Sequence, residues 1–339
     1  MKFHCNLFFI ISLLFLSNCN NASSNADKIA FKNISAIAPD TTRINAINEP
    51  PVNVVRAGSP TPLKNMFGIN GYEWNFLENP GSPNDRKHIY EDNMALIKTF
   101  SAVRHYLNWD RIESTKGDYT FNPAFNGNWN YDVIYERCKQ DGILVLADLK
   151  NLPEWMLAAY PASSRDNENP PVPYGQSLSD PASYADQARA AFQFAARYGY
   201  NKSVNSLLVK VATQKRYPGD IPNEPKIGMG LIKYMECGNE RDRWWGADET
   251  HQNPEEYAAN MSAFYDGNMG KLGPNAGVKT ADPNMEVVMG GLASADVNYV
   301  QRMIEWCKKY RGYKKDGSVN LCFDIINYHL YSNDGDVQV

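Results

Sequence analysis

From Met66 onward, short apolar runs rich in β-branched and aromatic residues alternate with longer stretches whose apolar positions recur every three or four residues. Such alternation is the pattern of repeated βα units. "MFGINGYEW" (66–74) predicts a first strand, and in "DRKHIYEDNMALIKTF" (85–100) Ile89, Met94, Ile97 and Phe100 share one helical face. "AVRHYLNW" (102–109) predicts a second strand, followed by a helix over "WNYDVIYERCKQDG" that Gly142 stops. "ILVLADLK" (143–150) is continuously apolar but for its end, as a strand buried on both faces requires. After a long Pro- and Asn-rich loop, Asp180 caps and Pro181 starts a helix running to Tyr198. "LIKYMECG" predicts the fourth strand, Asn253 and Pro254 open the next helix, and "MEVVMGG" predicts the fifth strand. "VNYVQRMIEWCKKY" reads as a helix and "FDIINYHLY" (323–331) as the sixth strand.

Six successive βα-type strands predict an α/β fold, a (β/α)8 TIM barrel with about six of its eight units in this chain. A Gly-rich dinucleotide fingerprint does not follow the first strand, which speaks against a doubly wound sheet. A barrel cannot close on six strands without exposing edges, so the expectation is a C-terminally truncated piece of a longer protein. A complete open sheet of six strands is the alternative.

The N-terminus carries different information. "MKFHCNLFFIISLLFLSNC" has a basic start at Lys2 and an apolar core over 7–16, an export signal too short to span a membrane. "LSNC" resembles a bacterial lipobox, which implies a lipid anchor on Cys19, although Asn18 stands where a small residue is usual. The expected organisation is a signal peptide over 1–19, a flexible tether over 20–64 and the partial barrel over 65–339. The expected location is the outer membrane or cell surface, with a periplasmic or secreted protein as the alternative.

Composition narrows the partners. The chain of 339 residues has a net charge of −4, so no basic excess points to nucleic acid. Hydrophobic residues make up 43%, enough for a large core, and the expected state is a monomer. Aromatics reach 12%, which fits flat surfaces offered to a ligand as well as core packing. Cys138, Cys237, Cys307 and Cys322 form no CxxC or zinc-like spacing, so buried free thiols are expected, with a disulfide left open. There is no HExxH, and no metal or cofactor is expected.

In a barrel the catalytic groups sit at the C-terminal strand ends. The candidates there are Arg104, Asp148, Lys150, Asn239, Glu240, His329 and Tyr331. Glycosidic hydrolysis needs a proton donor for the leaving oxygen and a second carboxylate across the sugar. Glu240 follows an apolar strand, so burial would keep it protonated for the donor role; pairing with Arg241 or Arg243 at the surface is the competing reading. Asn239 suits a sugar hydroxyl, and Trp244 and Trp245 offer faces for a pyranose. Trp74, Trp109 and Trp155 are sugar platforms or core residues, Arg104 is functional or an ion-pair partner of Asp148, and His329 is functional or a core imidazole.

"ECGNERDRWW", with "VRHYLNW" and "INYHLY", resembles the glycoside hydrolases of clan A, the retaining (β/α)8 enzymes, and among them the cellulase-like members. The resemblance implies an acid/base role for Glu240, with Asn239 beside it. It also implies a supporting role for Arg104, and places His329 and Tyr331 beside the sugar. Lys150 stands where cellulase-like members often carry His. The clan's nucleophile, a Glu at the end of strand seven, would fall beyond residue 339, and Glu73, Asp148 and Glu236 are not assigned to that role. The function implied is retaining hydrolysis of β-glycosidic bonds in a poly- or oligosaccharide, with the chain inactive on its own. The alternatives are a non-catalytic surface glycan-binding lipoprotein and a barrel enzyme of other chemistry, such as a lyase.

Overall fold

Five parallel strands lie side by side in chain order, β1-β2-β3-β4-β5, in the computed structural model of the chain, which describes residues 63–246 and 250–330. Met1–Gly58, and with it the predicted signal and lipidation site, lies outside the described residues; Ser59–Val339 carries every element below. In order these are β1 (Gly68–Gly71), α1 (Glu73–Leu77), α2 (Glu91–Ile97), β2 (Ala102–Asn108), α3 (Trp109–Ile112), α4 (Tyr131–Gln140) and β3 (Leu144–Lys150). Then come α5 (Glu154–Leu157), α6 (Ala185–Tyr198), β4 (Tyr234–Cys237), α7 (Pro254–Asp266), α8 (Val278–Ala281), β5 (Glu286–Met289) and α9 (Val297–Tyr310). Strands paired in sequence order, with no point where the order reverses, are wound as in a barrel and not as in a doubly wound sheet. The chain is therefore an α/β fold holding part of a (β/α) barrel.

Side-chain chemistry accounts for the helix boundaries. Asn130 Oδ1 accepts from Val133 N at 3.1 Å to open α4, and Gly142 closes its end at φ 71°. At α7, Asn253 Oδ1 accepts from the backbone N–H of Glu255 and Glu256, while Glu256 Oε2 accepts from Asn253 N. This reciprocal capping box matches the Asn253-Pro254 start read from the sequence.

Three elements differ from expectation. β1 stops at Gly71, because Asn75 Oδ1 accepts from Tyr72 N at 2.8 Å and turns the chain into α1; Trp74 therefore lies on a helix. The helix expected over 85–100 is confined to Glu91–Ile97, because Asp85 accepts from Lys87 N and pairs with His88, folding that stretch into turns. The expected sixth strand over 323–331 is, in its described part, two parallel bridges to the β5 side, Val288↔Ile325 and Leu292↔Tyr328. Gly290 and Gly291 lie between those bridges, and Gly290 sits so close to the Gly238 carbonyl that a side chain would collide with it.

The apolar faces of strands and helices join in one core, from Val103 and Leu107 on β2 through Phe192, Phe264 and Met303. Two buried polar networks cross it. Asp132 on α4 accepts from Arg197 at 2.9 and 2.7 Å, from Tyr198 at 2.8 Å and from Lys226 at 2.8 Å. Burial opposes its charge, but these donors prevail and hold its carboxyl down at about 2. Behind β2, Tyr131 donates to Glu73 at 2.5 Å, and His105 Nδ1 meets Tyr135 Oη at 2.8 Å. Burial keeps that imidazole neutral, pushing its pKa down.

Candidate active site

Alternation along β2 sorts its residues: Val103, His105 and Leu107 are buried toward the helices, while Arg104, Tyr106 and Asn108 share the opposite face. Register then sets Tyr106 beside Asp148, and Asp148 beside Glu236. Arg104 reaches across this row. Its Nε donates to Glu236 Oε2 at 2.7 Å and its Nη2 to Glu236 Oε1 at 3.0 Å, to Asp148 Oδ2 at 3.0 Å and to Asn239 Oδ1 at 2.9 Å. Glu236 Oε1 also accepts from Gly291 N at 2.9 Å and Asn327 Nδ2 at 3.0 Å.

Two carboxylates on one guanidinium leave an excess of negative charge in a dry site. Burial, and then the charge of Glu236, push Asp148 well above the usual carboxylate range against the pull of Arg104. Asp148 Oδ1 is buried with no hydrogen-bond partner. Arg104 is desolvated, yet Asp148 and Glu236 hold it firmly charged. Arg104 thus pairs with Asp148, as one of the two sequence readings has it, and also fixes the Asn239 amide.

Beyond the end of β4 the backbone turns sharply. Glu240 adopts φ 48°, a left-handed conformation that costs a non-glycine residue about 1–3 kcal/mol. The surroundings enforce it. Glu240 N donates to Gly291 O at 3.0 Å, Arg243 Nε donates to Glu240 O at 3.0 Å, and Arg243 Nη2 donates to Asn239 O at 2.9 Å. The side chain of Glu240, 11% exposed, meets His329 Nδ1 through Oε1 at 2.6 Å. The structure thus brings Arg104, Asn239, Glu240 and His329 together at the C-terminal ends of the strands; Tyr331 lies outside the described residues.

Lys150, predicted to face the sugar, is ion-paired with Glu168 Oε1 at 3.0 Å. Glu168 also pairs with Arg243, the residue that holds the Asn239 and Glu240 carbonyls. Burial works against the Glu168 charge, but Lys150 and Arg243 keep its pKa lowered. The role of Glu168 is not legible in the sequence, since it lies in the Pro- and Asn-rich loop without periodic context. Tyr72 and Tyr106 were also missed. Tyr72 stacks on Trp74 with centroids 4.3 Å apart and on Tyr106 at 5.2 Å, and Arg104 and Lys150 approach the Tyr106 ring at 4.5 and 4.8 Å. The i, i+2 spacing of Arg104 and Tyr106 was the available signal.

The tryptophans divide. Trp244 and Trp245 stand exposed, 69% and 55%, edge to face with centroids 4.6 Å apart. Trp109 is fully buried and donates to Glu113 at 2.6 Å, so it is a core residue and not a platform. Trp155 packs edge-on against it and donates to Glu113 O at 2.9 Å.

No family model matches the sequence, and no curated protein matches it. Solved structures do. A family 39 glycoside hydrolase from Bacteroides cellulosilyticus WH2 is 14% identical with a TM-score of 0.38, over 73% of this chain and 38% of that one. A family 51 α-L-arabinofuranosidase from Bifidobacterium longum is 15% identical with a TM-score of 0.45, over 80% of this chain and 46% of that one. An endocellulase from Pyrococcus horikoshii, solved in complex with cellotetraose, is 14% identical with a TM-score of 0.39, over 78% and 63%. The chain thus spans less than half the length of the first two.

Proposed function

We propose that this chain carries the acid/base half of a glycosidase site that hydrolyses β-linked poly- or oligosaccharides with retention, with Glu240 as the acid/base. The observation that carries the reading is the 2.6 Å contact between Glu240 Oε1 and His329 Nδ1, on a turn beside Asn239. With the acid proton on Oε2, free for the leaving oxygen, Glu240 can accept from the imidazole N–H through Oε1, and the ionised carboxylate can accept in the same way. One short contact therefore serves both the acid step and the later base step. Asn239, anchored by Arg104, orients a sugar hydroxyl, and the exposed Trp244 and Trp245 stack on the ring. Asp148 and Glu236 are both committed to Arg104, so neither is assigned the nucleophile's role.

The test compares aryl β-glycosides of differing leaving-group acidity, on the product of the complete reading frame. Glu240→Gln should cut kcat/KM about 10²–10⁴-fold for poor leaving groups, and far less for a dinitrophenolate, which needs no proton. An equal loss across the series would sink the assignment. The first-formed sugar anomer, followed by NMR, should retain its configuration. Glycan binding by the protein without hydrolysis would establish the binding-protein alternative instead. The same reading has the protein exported as a monomer and held to the membrane by lipid on Cys19; fractionation of Cys19→Ala should show it released.

A further inference from the structure

The sulfur atoms of Cys307 and Cys322 lie 3.5 Å apart, and both side chains are fully buried. Cys307 sits in the last turns of α9, and Cys322 opens the stretch that carries Asn327 and His329. That stretch is thereby placed against α9 at one end and against Glu236 and Glu240 at the other. A disulfide requires sulfurs about 2.05 Å apart, closer than this contact by about 1.5 Å. The remaining described thiols, Cys138 and Cys237, are buried elsewhere, on α4 and β4.

We propose that Cys307 and Cys322 form a disulfide that staples α9 to the stretch presenting Asn327 and His329. The inference rests on the reading of the chain as exported, because an oxidising compartment supplies the reaction. Each thiol gives up its proton and one electron as the S–S bond forms. A disulfide of a protein thiol-oxidant breaks in the same exchange and leaves as its dithiol. Exchange precedes burial, while the short segment between the two cysteines is still open; once folded, the bond is shielded from reductants. It closes a segment of about 15 residues, short enough to form early and long enough to restrict the unfolded chain.

The experiment is tryptic mapping, without reduction, of the full chain recovered from the cell envelope and of the chain refolded in a glutathione redox buffer. Peptide 303–308 and the peptide that begins at Asp316 should appear joined and separate on reduction. Reduction should also lower Tm by about 5 °C. Finding both cysteines alkylated as free thiols in the refolded chain, or either joined to Cys138 or Cys237, overturns the proposal. Joined peptides after refolding but free thiols in cells would keep the pairing and refute export instead. The mapping needs no variant; Cys307→Ala with Cys322→Ala should show the lowered Tm with no further effect of reductant.

Discussion

His329 and Glu240 meet at 2.6 Å across a sequence separation of 89 residues, and the contact depends on a glycine between them in space. A Cβ on Gly291 would collide with the His329 ring. Gly291 also closes the site on both sides, donating to Glu236 and accepting from Glu240 N. Gly291 is therefore required by the close approach of His329, and Gly290 by that of the Gly238 carbonyl, and not by chain flexibility.

Gly291→Ala should behave as a loss of His329. We expect destabilisation of about 1–3 kcal/mol from the collision and the same change in activity as His329→Ala. Urea unfolding and turnover of the two variants side by side check this. A Gly291→Ala protein with parental turnover would show that the imidazole is not needed against Glu240.

The buried cluster makes opposite predictions for neighbouring residues. Asp148 is already held toward its neutral form, so Asp148→Asn should change stability by less than about 1 kcal/mol. Arg104→Met leaves the buried Glu236 without the guanidinium that pairs it and should cost about 3–5 kcal/mol. Denaturant midpoints of the two variants decide it, and a reversal of their order would refute the assignment of charge.

Stability should fall as pH rises through neutrality. Burial pushes the Glu113 carboxyl up to about 7, against the donors Gly117 N and Trp109. The unfolded chain releases this proton near 4.5, whereas the fold retains it to about 7. The stabilisation is thus complete below the lower value and lost through the upper one, a drop of about 3 kcal/mol. Glu113→Gln should flatten that slope. Asp132, lowered to about 2, acts in the other direction, losing its stabilisation only below the ordinary carboxylate range, outside this window.

Trp244→Ala should separate binding from folding. The residue is 69% exposed, so Tm should hardly move, by less than about 0.5 kcal/mol in stability. Loss of one stacking face should weaken glycan affinity by about 1 kcal/mol, or roughly fivefold in Kd, read by calorimetry. Unchanged affinity would remove Trp244 from the site.

Much of this was legible in the linear pattern. Strand β3 follows from its continuous apolar run, and α7 and α9 from caps and periodicity, because backbone hydrogen bonding and local side-chain caps are decided within a few residues. The Asn239-Glu240 turn was located for the same reason, at the end of an apolar strand. Local turn chemistry at Asn75 and Asp85 overrode the longer elements that periodicity suggested.

What the tertiary structure alone decided is which charges meet. Arg104, Asp148, Glu236 and Asn239 come from three βα units, and Glu168 reaches Lys150 and Arg243 from a loop with no periodic signal. Burial, and so the protonation of Asp148, depends on strand register; burial of Trp109 and exposure of Trp244 depend on how helices and loops cover the sheet. The linear order of residues determines local conformation through short-range sterics and hydrogen bonds. The electrostatics of the site arise from groups brought together over long sequence separations, and only folding sets those distances.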